Sequence, residues 1–119
     1  MGYLLPAALI GLLAKCLTFN VARYTVNKMI KNFKCKYTKA LYEGQNPKRF
    51  RAFQAQAERK LQMLDSAVEL IDLRSPPGNQ LELLSGKRLG QYSIRINKQW
   101  RVCFAWTNEP CNVEITDYH

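Results

Sequence analysis

Two hydrophobic periods divide the chain from residue 29 onward. Phe50, Phe53, Ala57, Leu61 and Leu64 recur at helical spacing, with Lys48, Arg49, Arg51, Arg59 and Lys60 directed mainly elsewhere. Asn46-Pro47 predicts the start of that helix, since Asn caps and Pro suits the first helical position. Ser66-Ala67-Val68-Glu69 reads as a capping box, which starts a second helix running to about Leu73. Pro76-Pro77-Gly78-Asn79 then ends helical structure. Ahead of these, Ile30 and Phe33 open a short strand. Lys36 to Tyr42 has room for one or two helical turns, ended by Glu43-Gly44.

After Asn79 the period becomes two. Leu81 and Leu83 alternate with Gln80 and Glu82, and Tyr92, Ile94 and Ile96 alternate with Ser93, Arg95 and Asn97. Trp100, Val102, Phe104 and Trp106 form a third row, and Val113 and Ile115 a fourth. Asn97-Lys98 and Thr107-Asn108-Glu109-Pro110 are the turns between rows. Helices followed by an antiparallel meander predict an α+β domain. The apolar set belongs under the helices. Arg95, Asn97, Arg101, Glu114 and Thr116 then share the opposite face, continued by Tyr118 if the last strand extends that far.

Charge gives that second face a purpose. The 119 residues hold 18 Lys and Arg against 9 Asp and Glu, a net charge of +9, which favours phosphate chains or anionic surfaces as partners. Arginine makes forked contacts to phosphate, and tyrosine stacks on a splayed base. His119, the single histidine, can move a proton near neutral pH. The four cysteines (Cys16, Cys35, Cys103 and Cys111) contain no CxxC pair. With one histidine they give no support to a zinc site, and they fit buried thiols in a reducing compartment.

Residues 1–28 differ from the remainder. They carry Lys15, Arg23 and Lys28 and no acid. Their apolar run from Tyr3 to Phe19 is broken by Lys15, short for a membrane span, and lacks the leading positive charge of a signal peptide. Two readings stand: an upstream extension from a start codon assigned too early, or an extra helix packed on the domain. Either way the expected division is an extension over 1–28 and a compact domain over 29–119.

The second half of the chain carries an ordered motif: L-x-x-L-x-G-x-R-x-G-x-x-S-I-R-I-N-x-Q-W-R-x-x-F from Leu81 to Phe104, then N-V-E-I-x-D-Y-H at the end. It resembles the HigB-type toxins of the RelE superfamily, from type II toxin–antitoxin systems. The MIKNFK opening at Met29 fits as well. The resemblance implies a RelE-like fold with N-terminal helices packed on one face of an antiparallel β-sheet. It implies a cytoplasmic, ribosome-dependent endoribonuclease that cuts mRNA in the A site and needs neither metal nor cofactor. The implied partner is a HigA-type helix-turn-helix antitoxin, with DNA contacted only indirectly through their complex and no membrane involved.

Residue by residue, the resemblance places Asp117, Tyr118 and His119 in the active site with Arg101 and Arg88. In attack of a ribose 2′-OH on the adjacent phosphate, Arg101 and Arg88 take the phosphate charge and His119 carries the proton. Asp117 holds His119, and Tyr118 orients the base or the nucleophile. Arg95, Lys87 and Lys98 dock the RNA strand. Several relatives carry histidine and lysine where this chain has Glu82 and Ser85, which makes Glu82 a candidate general base. The same departure fits the alternative of a non-catalytic basic RNA-binding or antitoxin-binding protein.

Overall fold

The computed structural model describes residues 30–117. The readings for residues 1–28, and those for Tyr118 and His119, lie outside them. Two α-helices, α1 (Lys36–Tyr42) and α2 (Gln54–Ser66), precede four strands: β1 (Glu82–Leu83), β2 (Gln91–Arg95), β3 (Arg101–Trp106) and β4 (Pro110–Thr116). The strands lie in sequence order, each antiparallel to the next. The expected α+β architecture holds, with helices on one face of the meander.

The core is the face that alternation assigns to it. Ile94, Val102, Phe104, Val113 and Ile115 point under the helices and meet Leu41, Phe50, Ala57, Leu61 and Leu64. All of these are buried, and burial of each large side chain contributes about 1.5–3 kcal/mol.

The helix boundaries depart from the sequence expectation at three places. Pro47, not Asn46, occupies the N-cap position, and no side chain caps there. A 3-10 segment, Lys48–Phe53, precedes α2. Its three-residue period sets Phe50 and Phe53 on one side, where both rings meet Trp100, at 5.9 and 5.0 Å between centroids. One continuous α-helix would turn the two phenylalanines apart by a sixth of a turn.

At the far end, Ser66 does not start a second helix. It is the last residue of α2, and its hydroxyl donates back to the Gln62 carbonyl. The capping box lies three residues on, between Glu69 and Asp72, and opens a 3-10 turn over Leu70–Arg74. Nor does the Pro-Pro-Gly-Asn stretch end helical structure outright, because Pro77–Asn79 forms one more 3-10 turn. Leu83, expected inside, is 63% exposed while Leu84 is buried. With only two residues, β1 is too short to impose alternation on its flanks.

The outer edge of β4 is closed by the segment ahead of α1. Phe33 bridges Val113 in parallel. The N–H groups of Lys31 and Lys34 donate to the carbonyls of Pro110 and Val113, and Val113 N–H donates to the Asn32 carbonyl. The Ile30 N–H and the Tyr42 hydroxyl both donate to Asp65 Oδ1, at 3.3 and 2.9 Å, which fixes this segment to α2. Next along β4, the Ile115 N–H donates to Thr38 Oγ1 at 2.9 Å. Thr38 is fully buried, so α1 supplies by a side chain what a neighbouring strand would supply by its backbone.

Removing that acceptor with Thr38→Val strands a buried N–H, at a cost of about 1–3 kcal/mol. The melting temperature is expected to fall by about 4–8 °C for each kcal/mol lost. Thermal unfolding followed by circular dichroism measures it, and an unchanged midpoint would refute the assigned role of Thr38.

Candidate active site

Strand register assembles the second face. Residues directly opposite one another share a face of the sheet. Glu82, Ser93, Cys103 and Glu114 therefore form one row across four strands. Arg95, Arg101 and Thr116 form a second row across three. This bears out the expected partition of Arg95, Arg101, Glu114 and Thr116 away from the core.

The centre of that face is covered, not open, for Ser93 and Cys103 are fully buried. Part of the cover is Arg88. It sits in the 3-10 turn Gly86–Arg88 between β1 and β2. Gly86 and Gly90, at φ +63° and +92°, allow the chain to double back there. Arg88 Nη1 donates to Gln91 Oε1 at 3.1 Å and lies 3.4 Å from Glu114 Oε1. The guanidinium thus reaches from the β1–β2 loop across to β4.

Beneath it, the Cys103 thiol is pushed up to about 11, first by burial. Arg88 opposes that rise, Glu114 adds to it, and Arg101 and Lys34 pull down again. The thiol is protonated at physiological pH, so it is neither a nucleophile nor a charge in the site.

Arg101 has the less satisfied guanidinium. Its Nη2 donates to Gln80 Oε1 at 3.5 Å, a long contact, and its Nη1 lies 3.5 Å from Glu82 Oε1. That proximity is charge pairing without hydrogen-bond alignment, since Nη1 is buried and makes no hydrogen bond. Directly across the strand pair stands Arg95, and like charges in that position repel. A buried donor in a positively charged setting is suited to an anion.

Asp117 follows β4 at the same end of the sheet. Its Oδ2 accepts from Gln99 Nε2 at 2.8 Å. The β2–β3 turn that carries Gln99 is itself fixed by Asn97 Oδ1, which accepts the N–H groups of Gln99 and Trp100 at 2.8 Å each. The structure therefore brings together Arg95, Arg101 and Glu82 and connects Arg88 to them across Cys103, while Asp117, at the same end of the sheet, is held to the β2–β3 turn by Gln99. It separates Lys87 from Lys98: both are exposed, in the turns at opposite ends of β2. Tyr118 and His119 lie outside the described residues.

Sequence reasoning missed Lys60 and Gln80. Lys60 is half-buried, and its ammonium donates to the side-chain oxygen of the buried Asn79. Gln80 adopts a left-handed conformation, φ +47° and ψ +54°. Helical periodicity marks Lys60 as a generic outward base, and nothing in a Pro-Pro-Gly-Asn-Gln run announces a contact to Arg101.

Among the described residues, no cluster of three or more His, Cys, Asp or Glu is placed to hold a metal ion. Among them too, no helix is long and apolar enough to cross a membrane.

Comparison with known proteins identifies the setting. Residues 31–119 match the family described as HigB-like toxin, the RelE-like toxin of the type II toxin–antitoxin system HigB. Toxin HigB-1 of Vibrio cholerae is 43% identical over 84 residues, covering 67% of this chain and 86% of that protein. An uncharacterized protein of Haemophilus influenzae is 46% identical over 61 residues, 51% of this chain and 60% of its own length. The chain belongs to the HigB-like toxins, RelE-like members of type II toxin–antitoxin systems, and has a protein antitoxin as partner.

Proposed function

We propose that this toxin is a ribosome-dependent endoribonuclease that cleaves mRNA in the A site and so arrests translation in the cytoplasm. The observation that carries the reading is the buried Nη1 of Arg101, which makes no hydrogen bond and belongs to the residue paired with Arg95 across the strands on the helix-free side of the sheet. In the reaction the ribose 2′-OH attacks the adjacent phosphorus. The P–O5′ bond breaks, leaving a 2′,3′-cyclic phosphate and a 5′-hydroxyl. Arg101 and Arg88 take the charge that builds on the phosphoryl oxygens. His119 carries the proton between the 2′-OH and the leaving oxygen, Asp117 holds the imidazole, and Tyr118 orients the nucleotide. Arg95, Lys87 and Lys98 dock the strand on either side. The ribosome supplies the positioning of the message, which accounts for much of such a rate.

Glu82 has a different task from the general base that its sequence position suggests. It is exposed, and its oxygen lies beside Arg101. We assign it as counter-charge to Arg101 in the free protein. The catalytic unit is residues 29–119, with 1–28 an extension. The partner is a HigA-type helix-turn-helix antitoxin, through which the pair reaches DNA.

Induced expression in bacteria with mapping of mRNA 5′ ends tests the assignment. Arg101→Ala is expected to slow cleavage by about 10²–10³-fold, the usual loss for one stabilising donor, and His119→Ala to relieve growth arrest. Equal arrest by wild type and both variants would refute these roles. Glu82→Gln is expected to retain cleavage within a few-fold. A loss on the order of 10²–10⁴-fold, typical of a missing general base, would instead restore Glu82 to that role.

A further inference from the structure

We propose that Lys60, reaching from α2 to the rim of the sheet, forms with Arg95 a second phosphate subsite beside the one at Arg101. The proposal rests on RNA being the substrate of this face and names a contact that the motif residues do not include. Its anchor is Asn79. That residue is fully buried, and its Nδ2 donates to the carbonyls of Leu73 and Ser75 at 3.1 and 3.3 Å. These two bonds fix the amide orientation, so Oδ1 must face outward, and it accepts from Lys60 Nζ. The turn that holds Asn79 packs against β2, the strand that ends in Arg95.

A merely structural clamp would not need a charge here. A neutral amide donor would satisfy Asn79 Oδ1 equally well. Lysine brings disadvantages instead: its pKa is lowered first by burial, then by repulsion from Arg59 and from Arg95. Arg95 in turn faces Arg101 across the strand pair. Arg88 and Arg101 lie beside Glu114 and Glu82, whereas neither Lys60 nor Arg95 is paired with a carboxylate among the described residues. The fold therefore holds two cations against mutual repulsion, with no anion of its own between them. A phosphate of the bound strand removes the repulsion and meets a preorganised Nζ, while Arg101 addresses the neighbouring linkage.

The test is binding without cleavage. A fluorescent single-stranded RNA carrying 2′-O-methyl ribose throughout has no attacking hydroxyl. Its affinity for the full chain is followed by anisotropy from about 50 to 200 mM salt, a range over which phosphate contacts are strongly weakened. Lys60→Gln keeps a donor for Asn79 and removes the charge. It is expected to bind several-fold more weakly, with a salt slope smaller by about 0.7, the value for one lost contact to a single strand. Its melting temperature should stay near wild type, and Lys60→Arg should keep the wild-type slope. Arg95→Gln removes the other half of the subsite, and its side chain makes no hydrogen bond among the described residues. It must lower the slope as well, and an unchanged slope overturns the subsite even if Lys60→Gln proves unstable. If Lys60→Gln folds and keeps the full slope while Arg101→Ala reduces it, Lys60 is excluded and the RNA reading stands. If wild type shows no salt-dependent binding of free RNA, the subsite falls, while the mapping of mRNA 5′ ends decides the cleavage reading separately.

Discussion

The repulsion between Arg95 and Arg101, enforced by strand register, is the constraint on which the site depends. Neither residue chooses its neighbour. Ile94 and Val102 are fully buried and pair directly across β2 and β3, and the residues next to them must then face each other from the other side. A slip of one position would expose the apolar row and bury the arginines, so hydrophobic burial holds the register with far more energy than the two charges can oppose. The core thus maintains a concentration of positive charge that the charges alone would disperse.

The same reasoning explains the uneven treatment of the two pairs of opposite charges. Arg88 is joined to Glu114 and also has Gln91 as acceptor. Arg101 has Glu82 at hand without hydrogen-bond geometry, and Gln80 only at the limit of bonding distance. Glu82 is 53% exposed at its side chain, so the pairing is worth about 0–1 kcal/mol. In the proposed reading, a phosphate that aligns with Nη1 replaces it readily, because the donor that gains a bond is one that had none. On the same reading, the Glu82 carboxylate, 3.5 Å from Arg101 Nη1, screens that guanidinium when no RNA is bound.

How much of this was legible follows from where the determinants lie. Alternation is a local code, and it separated Arg101 from Val102, and Glu114 from Ile115, correctly. It failed at Leu83 because a two-residue strand at a sheet edge is not confined on both sides. The helical period found Phe50 and Phe53 but not their 3-10 geometry, which Trp100 decides from fifty residues away. Ser66 looked like a cap because Ser-x-x-Glu is a valid box; the helix passed through it because Leu64 is fully buried in the core and Ser66 could bond to Gln62. The site was legible as a row of residues on one face. Its depth was not, since the cover over Cys103 depends on a loop doubling back from Gly86.

Lys60 shows the limit of motif reasoning most clearly. A motif names residues that lie close along the chain or recur in a recognisable order, and Lys60 belongs to a helix whose apolar stripe accounts for its pattern. Its nineteen-residue link to Asn79 exists only because the Pro77–Asn79 turn brings the chain back against the sheet. Once there, the buried amide can present a single oxygen outward, and that oxygen selects a donor. Asn79 therefore determines where the ammonium goes, and Arg95 determines that its position is costly in the free protein. A site built in this way gains affinity for an anion from repulsion already present, so the contribution of Lys60 to binding should exceed what one exposed lysine on a helix surface could provide.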